Sequence, residues 1–490
     1  MSGDSRFEAF AGQFSEFLGS QKLDELRKID FARLDDTKQT YLDYTGAALY
    51  GESQVREHLR ILSSSVFGNP HSANPTSIAM TDLVERTRKR VLSYFNAGED
   101  YYLAFTLNAS GALKLVGEAF PFCEGARFVA TFDNHNSVNG IREFARRQGA
   151  QVEYAPLTQP DLRIDGEVLD RLLARPSSDL PKLFAFPAQS NYSGVKHSLE
   201  WIGKAQSLGC KVLLDAAAFV PTNRLDLGKV KPDFVSVSFY KMFGYPAGIG
   251  ALLIRKASAS ILRRPWFAGG TVNFTSVQGQ GHLLSAGEAA FEDGTINYLS
   301  IPAVEIGIDF IESIGIDLIQ QRVRCLTGWL LEQLQELKHS NGRPLLRLHG
   351  PGVNVDRGGT ITFNLYDPNG ERLDYRRIEE LAGQGLISLR TGCFCNPGAN
   401  EAAEGLTQRE LDAGFALGAE LNLPNFVRLM QSQKSGKSAG AVRASLGLAT
   451  NFADVSRLVD FLAGFRDRAR AAIGEVSVED DNCRVIRDGS

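Results

Sequence analysis

Between residues 101 and 255 short β-rich runs alternate with helical patterns, and this alternation restricts the chain to few folds. Candidate strands fall at 101–107, 127–132, 151–154, 182–186, 211–215, 234–238 and 250–254, with helical patterns between several of them, as at 138–147 and 199–208. Parallel strands need crossovers long enough to hold a helix, so this order predicts an α/β domain around a mainly parallel sheet. In such sheets ligands gather beyond the carboxyl ends of the strands.

A helical pattern over 301–338 gives way to a strand-like run at 359–365 and a helix near 375–384, which predicts a smaller second domain. The expected division is an N-terminal segment at 1–55 packing with the small domain, a large domain at 56–325 and a small C-terminal domain at 326–490. The chain has 490 residues and is 43% apolar, enough for a large core. Its 53 basic and 57 acidic residues give a net charge of -4, with no broad attraction to nucleic acid or anionic membrane. The longest apolar runs are strand-sized, far short of the roughly 20 residues that span a bilayer. The first residues lack a secretory pattern, so a cytoplasmic location is expected. Six cysteines (Cys123, Cys210, Cys325, Cys393, Cys395 and Cys483) show no disulfide spacing and are read as reduced thiols.

Several strand ends carry polar groups that can do chemistry. The apolar run Val212, Leu213, Leu214 ends in Asp215, and a buried carboxylate calls for a cationic partner. A protonated pyridine nitrogen is one such partner, while an ordinary capping aspartate is the structural alternative. The alternating run 233–239 leads into Tyr240 and Lys241 among apolar and aromatic neighbours, which favour a neutral amine fit for Schiff-base chemistry. A solvated lysine is the plainer alternative. Asn108, Ala109, Ser110 and Gly111 open a helix after the first strand, where free backbone N–H groups suit a phosphate or merely need a cap. His135 follows the second strand and can stack on a ring, move protons or cap a helix. The weaker phosphate-loop match at 435–438 lacks glycine at position 431, and the stretch 434–438 reads as an exposed loop within the charged and small-residue-rich segment 400–440. The turn-rich motif from Arg390 to Gly398 carries Cys393 and Cys395, whose thiolate form is the reactive one. Zinc is a rival that lacks a second ligand pair at suitable spacing, so no metal is expected.

Together these motifs resemble the class V aminotransferase group of fold-type I pyridoxal-phosphate (PLP) enzymes, and within it the cysteine desulfurases. Gly68-Asn69-Pro70-His71-Ser72, Pro187-Ala188-Gln189-Ser190-Asn191, Ser238-Phe239-Tyr240-Lys241, Phe291-Glu292-Asp293-Gly294-Thr295 and the motif from Arg390 to Gly398 are similar to the desulfurase domain of molybdenum cofactor sulfurases. The similarity runs over 41–463 and implies a large domain with a mainly parallel seven-stranded sheet plus a smaller α+β C-terminal domain.

The resemblance makes Lys241 the Schiff-base lysine, Asp215 the partner of the cofactor's ring nitrogen and His135 the residue stacked on the ring. Ala109, Ser110, Ser238 and Tyr240 would hold the phosphate, with Thr295 reaching the phosphate of a partner subunit in a homodimer. Asn191 would lie near the phenolic oxygen and the substrate carboxylate, Arg443 would bind that carboxylate, and Cys395 would accept sulfur. The implied activity is PLP-dependent conversion of L-cysteine to L-alanine with a persulfide on Cys395, passed to an unknown acceptor. Alternatives are another class V enzyme that forms no persulfide, such as a C–S lyase, epimerase or transaminase, and a non-catalytic sulfur-relay protein. Many relatives carry Gln or His where this chain has Ala218, and Gln189 is the candidate substitute. Sulfurases of the eukaryotic type continue into a domain that binds the molybdenum cofactor, for which 490 residues are not expected to leave room.

Overall fold

Strands buried along their whole length need cover on both faces, and Arg127–Thr131, Phe234–Ser238 and Thr360–Leu365 are buried at every residue. The computed structural model describes residues 3–70, 72–176, 180–421, 425–426, 429–430 and 437–476. His71, residues 431–436 and Cys483 lie outside the described residues.

The large sheet has seven strands in the order Tyr101–Thr106, Gly250–Arg255, Phe234–Ser238, Lys211–Asp215, Lys182–Pro187, Arg127–Thr131, Gln151–Ala155. Only Gly250–Arg255 runs antiparallel to its neighbours, so the sheet is mainly parallel as the alternation predicts. Two expected helices are each split. The 138–147 pattern becomes Asn136–Asn139 and Ile141–Arg147, with Gly140 between. The 301–338 pattern becomes Pro302–Ile314 and Ile316–Glu336, because Gly315 takes a left-handed φ of 97° that ends the first helix. The expected border at 325–326 falls inside this second helix, which is continuous because Ile319, Val323, Leu326, Leu330 and Leu334 bury one face at helical spacing.

A second, antiparallel sheet orders Leu346–His349, Thr360–Leu365, Ala441–Ser445 and Arg390–Gly392. The N-terminal segment is bound to it. Thr40–Tyr41 pairs in parallel with Ile387–Ser388, Asp43 bridges Ser445, and the ring of Phe10 stacks on Phe452 at 4.7 Å. Buried Arg27 donates to buried Asp454 at 2.5 Å and to the more exposed Asp35 at 2.8 Å. Without Asp454, Arg27 keeps only the more exposed Asp35 as an ionic partner, so Asp454→Ala is expected to cost about 1–3 kcal/mol, read as a lower midpoint in denaturant unfolding. No helix among the described residues is long and apolar enough to cross a membrane.

Candidate active site

The carboxyl ends of the parallel strands surround a cavity of about 290 Å³. Ala109, Ser110, His135, Asn191, Asp215, Ser238, Tyr240 and Lys241 all line it, so eight residues singled out in the sequence meet there. Each arrives for a local reason. Lys211–Asp215 delivers Asp215 as its last residue, and Phe234–Ser238 runs into the one-turn helix Phe239–Phe243 that carries Lys241. Gly244 ends that turn at φ 80°, and a Cβ there would meet the backbone N of Tyr50 at 2.3 Å. Asn108 caps the helix Ala109–Ala119 by accepting from Gly111 N at 2.9 Å, which turns the first amides toward the cavity.

Asp215 is buried and Lys241 half-buried, and the two do not pair with each other. Asp215 accepts two hydrogen bonds, from Ala217 N at 3.1 Å and Ser236 Oγ at 3.0 Å, both on Oδ1. No cation lies within ion-pair distance of it among the described residues. Burial pushes the Lys241 amine below the ordinary lysine range, opposed by the negative charge of Asp215 and reinforced by Arg443. A buried carboxylate and a desolvated amine held apart across a cavity fit a group carrying one cationic nitrogen and one carbonyl, as PLP does. The phosphate end fits as well: Ser238 Oγ accepts from Ala109 N at 3.1 Å, and Ser110 Oγ lies 2.6 Å from Ser137 Oγ at the helix start. His135 Nδ1 accepts from Ser137 N at 3.1 Å, which fixes the ring, and burial pushes its pKa down.

Asn191 serves the cysteine loop as well as the cavity. Its Nδ2 donates to Phe394 O at 2.8 Å, and its Oδ1 accepts from Asn396 Nδ2 at 2.8 Å. The loop is held again where Asn136 N donates to Cys395 O at 2.7 Å. Phe394 and Cys395 both adopt left-handed backbone, φ 56° and 54°, a conformation that costs non-glycine residues about 1–3 kcal/mol and persists only where contacts enforce it. Cys395 is exposed and does not line the cavity, yet it is near enough to raise the pKa of Lys241 and Arg443. Burial pushes the neighbouring Cys393 thiol up, away from reactivity. At Gly398 an added Cβ would sit 1.9 Å from the carbonyl oxygen of Phe132. Gly398→Ala is therefore expected to push the loop off the sheet end, costing about 1–3 kcal/mol in thermal unfolding while cofactor absorbance persists.

Arg443, on the central strand Ala441–Ser445, is fully buried. Its Nη2 pairs with Asp43 Oδ1 at 2.9 Å, its Nη1 donates to Asn191 O at 3.0 Å, and its Nε has no protein partner. Asp43 also pairs with Arg390 at 2.7 Å. Sequence reasoning passed over Asp43, although it shows the same signal as Asp215, a single carboxylate inside the apolar and aromatic run Tyr41, Leu42, Tyr44. Thr295 does not line this cavity; it is exposed and lines an adjoining one that shares Leu107, Asn108 and Gly248 with the first. Gln189 lines the Lys241 cavity beside Ala218, which leaves the position next to Asp215 without a polar side chain.

The profile of the family described as aminotransferase class-V matches residues 40–458. The molybdenum cofactor sulfurase of Solanum lycopersicum is 36% identical over 94% of this chain and 60% of its own length. The human molybdenum cofactor sulfurase is 35% identical over 91% of this chain and 52% of its own length. The chain thus spans little more than half of these curated relatives. Among solved structures, an apo cysteine desulfurase from Thermococcus onnurineus superposes with a TM-score of 0.73 at 24% identity, over 90% of this chain and 97% of that one. The cysteine desulfurase CsdA of Escherichia coli gives 0.70 at 20% identity, over 90% and 97%. At these identities the superpositions bear on the fold.

Proposed function

Because this chain belongs to the class V aminotransferase family, we propose that it is a PLP-dependent cysteine desulfurase, taking sulfur from L-cysteine onto Cys395 and releasing L-alanine. The observation that carries this reading is the pair Lys241 and Asp215, the amine desolvated, the carboxylate buried and neither ion-paired, facing one cavity beside a tethered cysteine loop. When bound, the cofactor supplies an electron sink for the substrate's α-carbon. Asp215 keeps a proton on the ring nitrogen through charge attraction, and His135 packs against the ring. Lys241 anchors the cofactor and, once displaced by substrate, moves the α-proton, a task that needs the neutral amine favoured by its burial. Arg443, its Nη atoms held by Asp43 and Asn191, supplies the positive charge that draws the substrate carboxylate.

Cys395 as thiolate attacks the substrate sulfur, forming the S–S bond of a persulfide while the substrate C–S bond breaks. The electron pair of that bond stays with carbon and is later protonated to give alanine, so cysteine and enzyme thiol become alanine and enzyme persulfide. The test is to incubate the PLP-loaded protein with L-cysteine, quantify alanine and measure intact mass. Alanine together with one added sulfur on Cys395 is expected; alanine absent from the products rejects the desulfurase reading. The exposure of Cys395, off the cavity wall, favours a second reading, a C–S lyase that forms no persulfide. We also infer a homodimer in which exposed Thr295 serves the partner's site, to be checked by light scattering.

A lowered Lys241 pKa sets a pH dependence. The neutral amine that captures the cofactor is populated at lower pH than for a free lysine, whose ordinary value is about 10.4. The rate of PLP uptake by cofactor-free protein is therefore expected to rise with pH and level off below that value, as stopped-flow absorbance reports.

A further inference from the structure

A second and larger cleft, about 560 Å³, lies between the helix Ile316–Glu336 and the segment 351–358. It shares no lining residue with the cavity of Lys241. Two of its cations, Lys196 and Arg357, have no carboxylate within ion-pair distance among the described residues. The half-buried Lys196 Nζ reaches only Asn223 Oδ1, at 3.5 Å. Buried Arg357 directs its donors to the carbonyl oxygens of Ser193, Pro351, Gly358 and Thr360. Desolvation lowers the pKa of both, to about 9 for Arg357. Protein interiors rarely leave buried cations unmatched.

A third observation is independent of charge. Thr327, on the same helix and wholly buried, lines the cleft with a hydroxyl that has no hydrogen-bond partner. An unmade hydrogen bond of this kind costs about 1–3 kcal/mol, which a ligand's acceptor would recover. Of the other charges lining the cleft, only Asp356 acts on the two cations, raising the pKa of Lys196 without lying within ion-pair distance of it. Asp317 is exposed and paired with Arg224 at 3.0 Å, Arg324 is paired with Glu16, and Asp356 is exposed at the rim.

We propose that this cleft binds a phosphorylated small molecule, its phosphate held by Lys196, Thr327 and Arg357. Planar carboxylates are best met by a free guanidinium fork, and here the fork is committed to carbonyl oxygens, so Arg357 acts mainly through its charge. A lysine ammonium and a hydroxyl approaching from separate elements suit the divergent oxygens of a phosphate instead. The cleft far exceeds one phosphate group, leaving room for an organic portion against Asn223 and Gln320.

The experiment is calorimetric titration of the PLP-loaded protein, freed of unbound cofactor, with inorganic phosphate, glycerol 3-phosphate and succinate. One saturable site per chain is expected, tighter for glycerol 3-phosphate than for inorganic phosphate, and weakened at least about tenfold in both Lys196→Met and Thr327→Val. Thr327→Val removes an unsatisfied hydroxyl, so its thermal midpoint is expected to stay level or rise, which separates lost binding from lost folding. Absence of saturable binding by either phosphate, unchanged binding in both variants, or succinate binding as tightly as glycerol 3-phosphate overturns the proposal. Binding abolished by Ser110→Ala alone overturns it too, since the phosphate would then occupy the cradle at Ala109 and Ser110.

Discussion

Replacing Lys241 with alanine is expected to lower cysteine turnover by at least about 10³-fold, because in the proposed reaction one amine performs two tasks that no neighbour can assume. It anchors the cofactor and it moves the α-proton, and the other residues lining the cavity include no second lysine. His135 is the nearest alternative base, but its Nδ1 is committed to Ser137 N. The fold is expected to survive, since the change removes a half-buried cation whose charged form desolvation already disfavours. The pairing of an unchanged thermal midpoint with lost alanine formation is the expected result. Turnover within tenfold of the unaltered protein would remove Lys241 from the chemistry, and with it the reading of the whole cavity.

Replacing Cys395 with serine separates the two readings of the site. If Cys395 is the sulfur acceptor, alanine formation should fall by at least about 10²-fold and the added sulfur should vanish from the intact mass. Cofactor absorbance and thermal stability should be untouched, because Cys395 is exposed, away from the cavity wall, and surface changes of this kind cost within about 0.5 kcal/mol. A C–S lyase would lose nothing in the same variant. A spectrum that retains the cofactor while activity is unchanged therefore selects the lyase.

The large sheet was legible because strand period and strand termini are local properties. Asp215 and Ser238 close their strands where the apolar runs stop. Helix breaks were less visible: Gly140 and Gly315 lie inside amphipathic patterns, and whether a glycine interrupts a helix depends on what packs around it. The separation of Lys241 and Asp215 is a property of space that no spacing along the chain encodes. Asp43 was missed because its partners, Arg390 and Arg443, lie 347 and 400 residues away. The cleft of Lys196, Thr327 and Arg357 is assembled from three distant stretches, and an unpartnered hydroxyl cannot be recognised before its surroundings are known.

The salt link from Asp43 to Arg390 and Arg443 ties catalytic competence to the order in which the polypeptide is made. Asp43 leaves the ribosome 347 and 400 residues ahead of Arg390 and Arg443, so a nascent chain that has completed its large sheet still lacks the balanced charges that would seat the proposed substrate. Activity should switch on only after strand 441–445 has docked, and a polypeptide trimmed from the front past Asp43 should keep its cofactor colour while losing affinity for the amino acid.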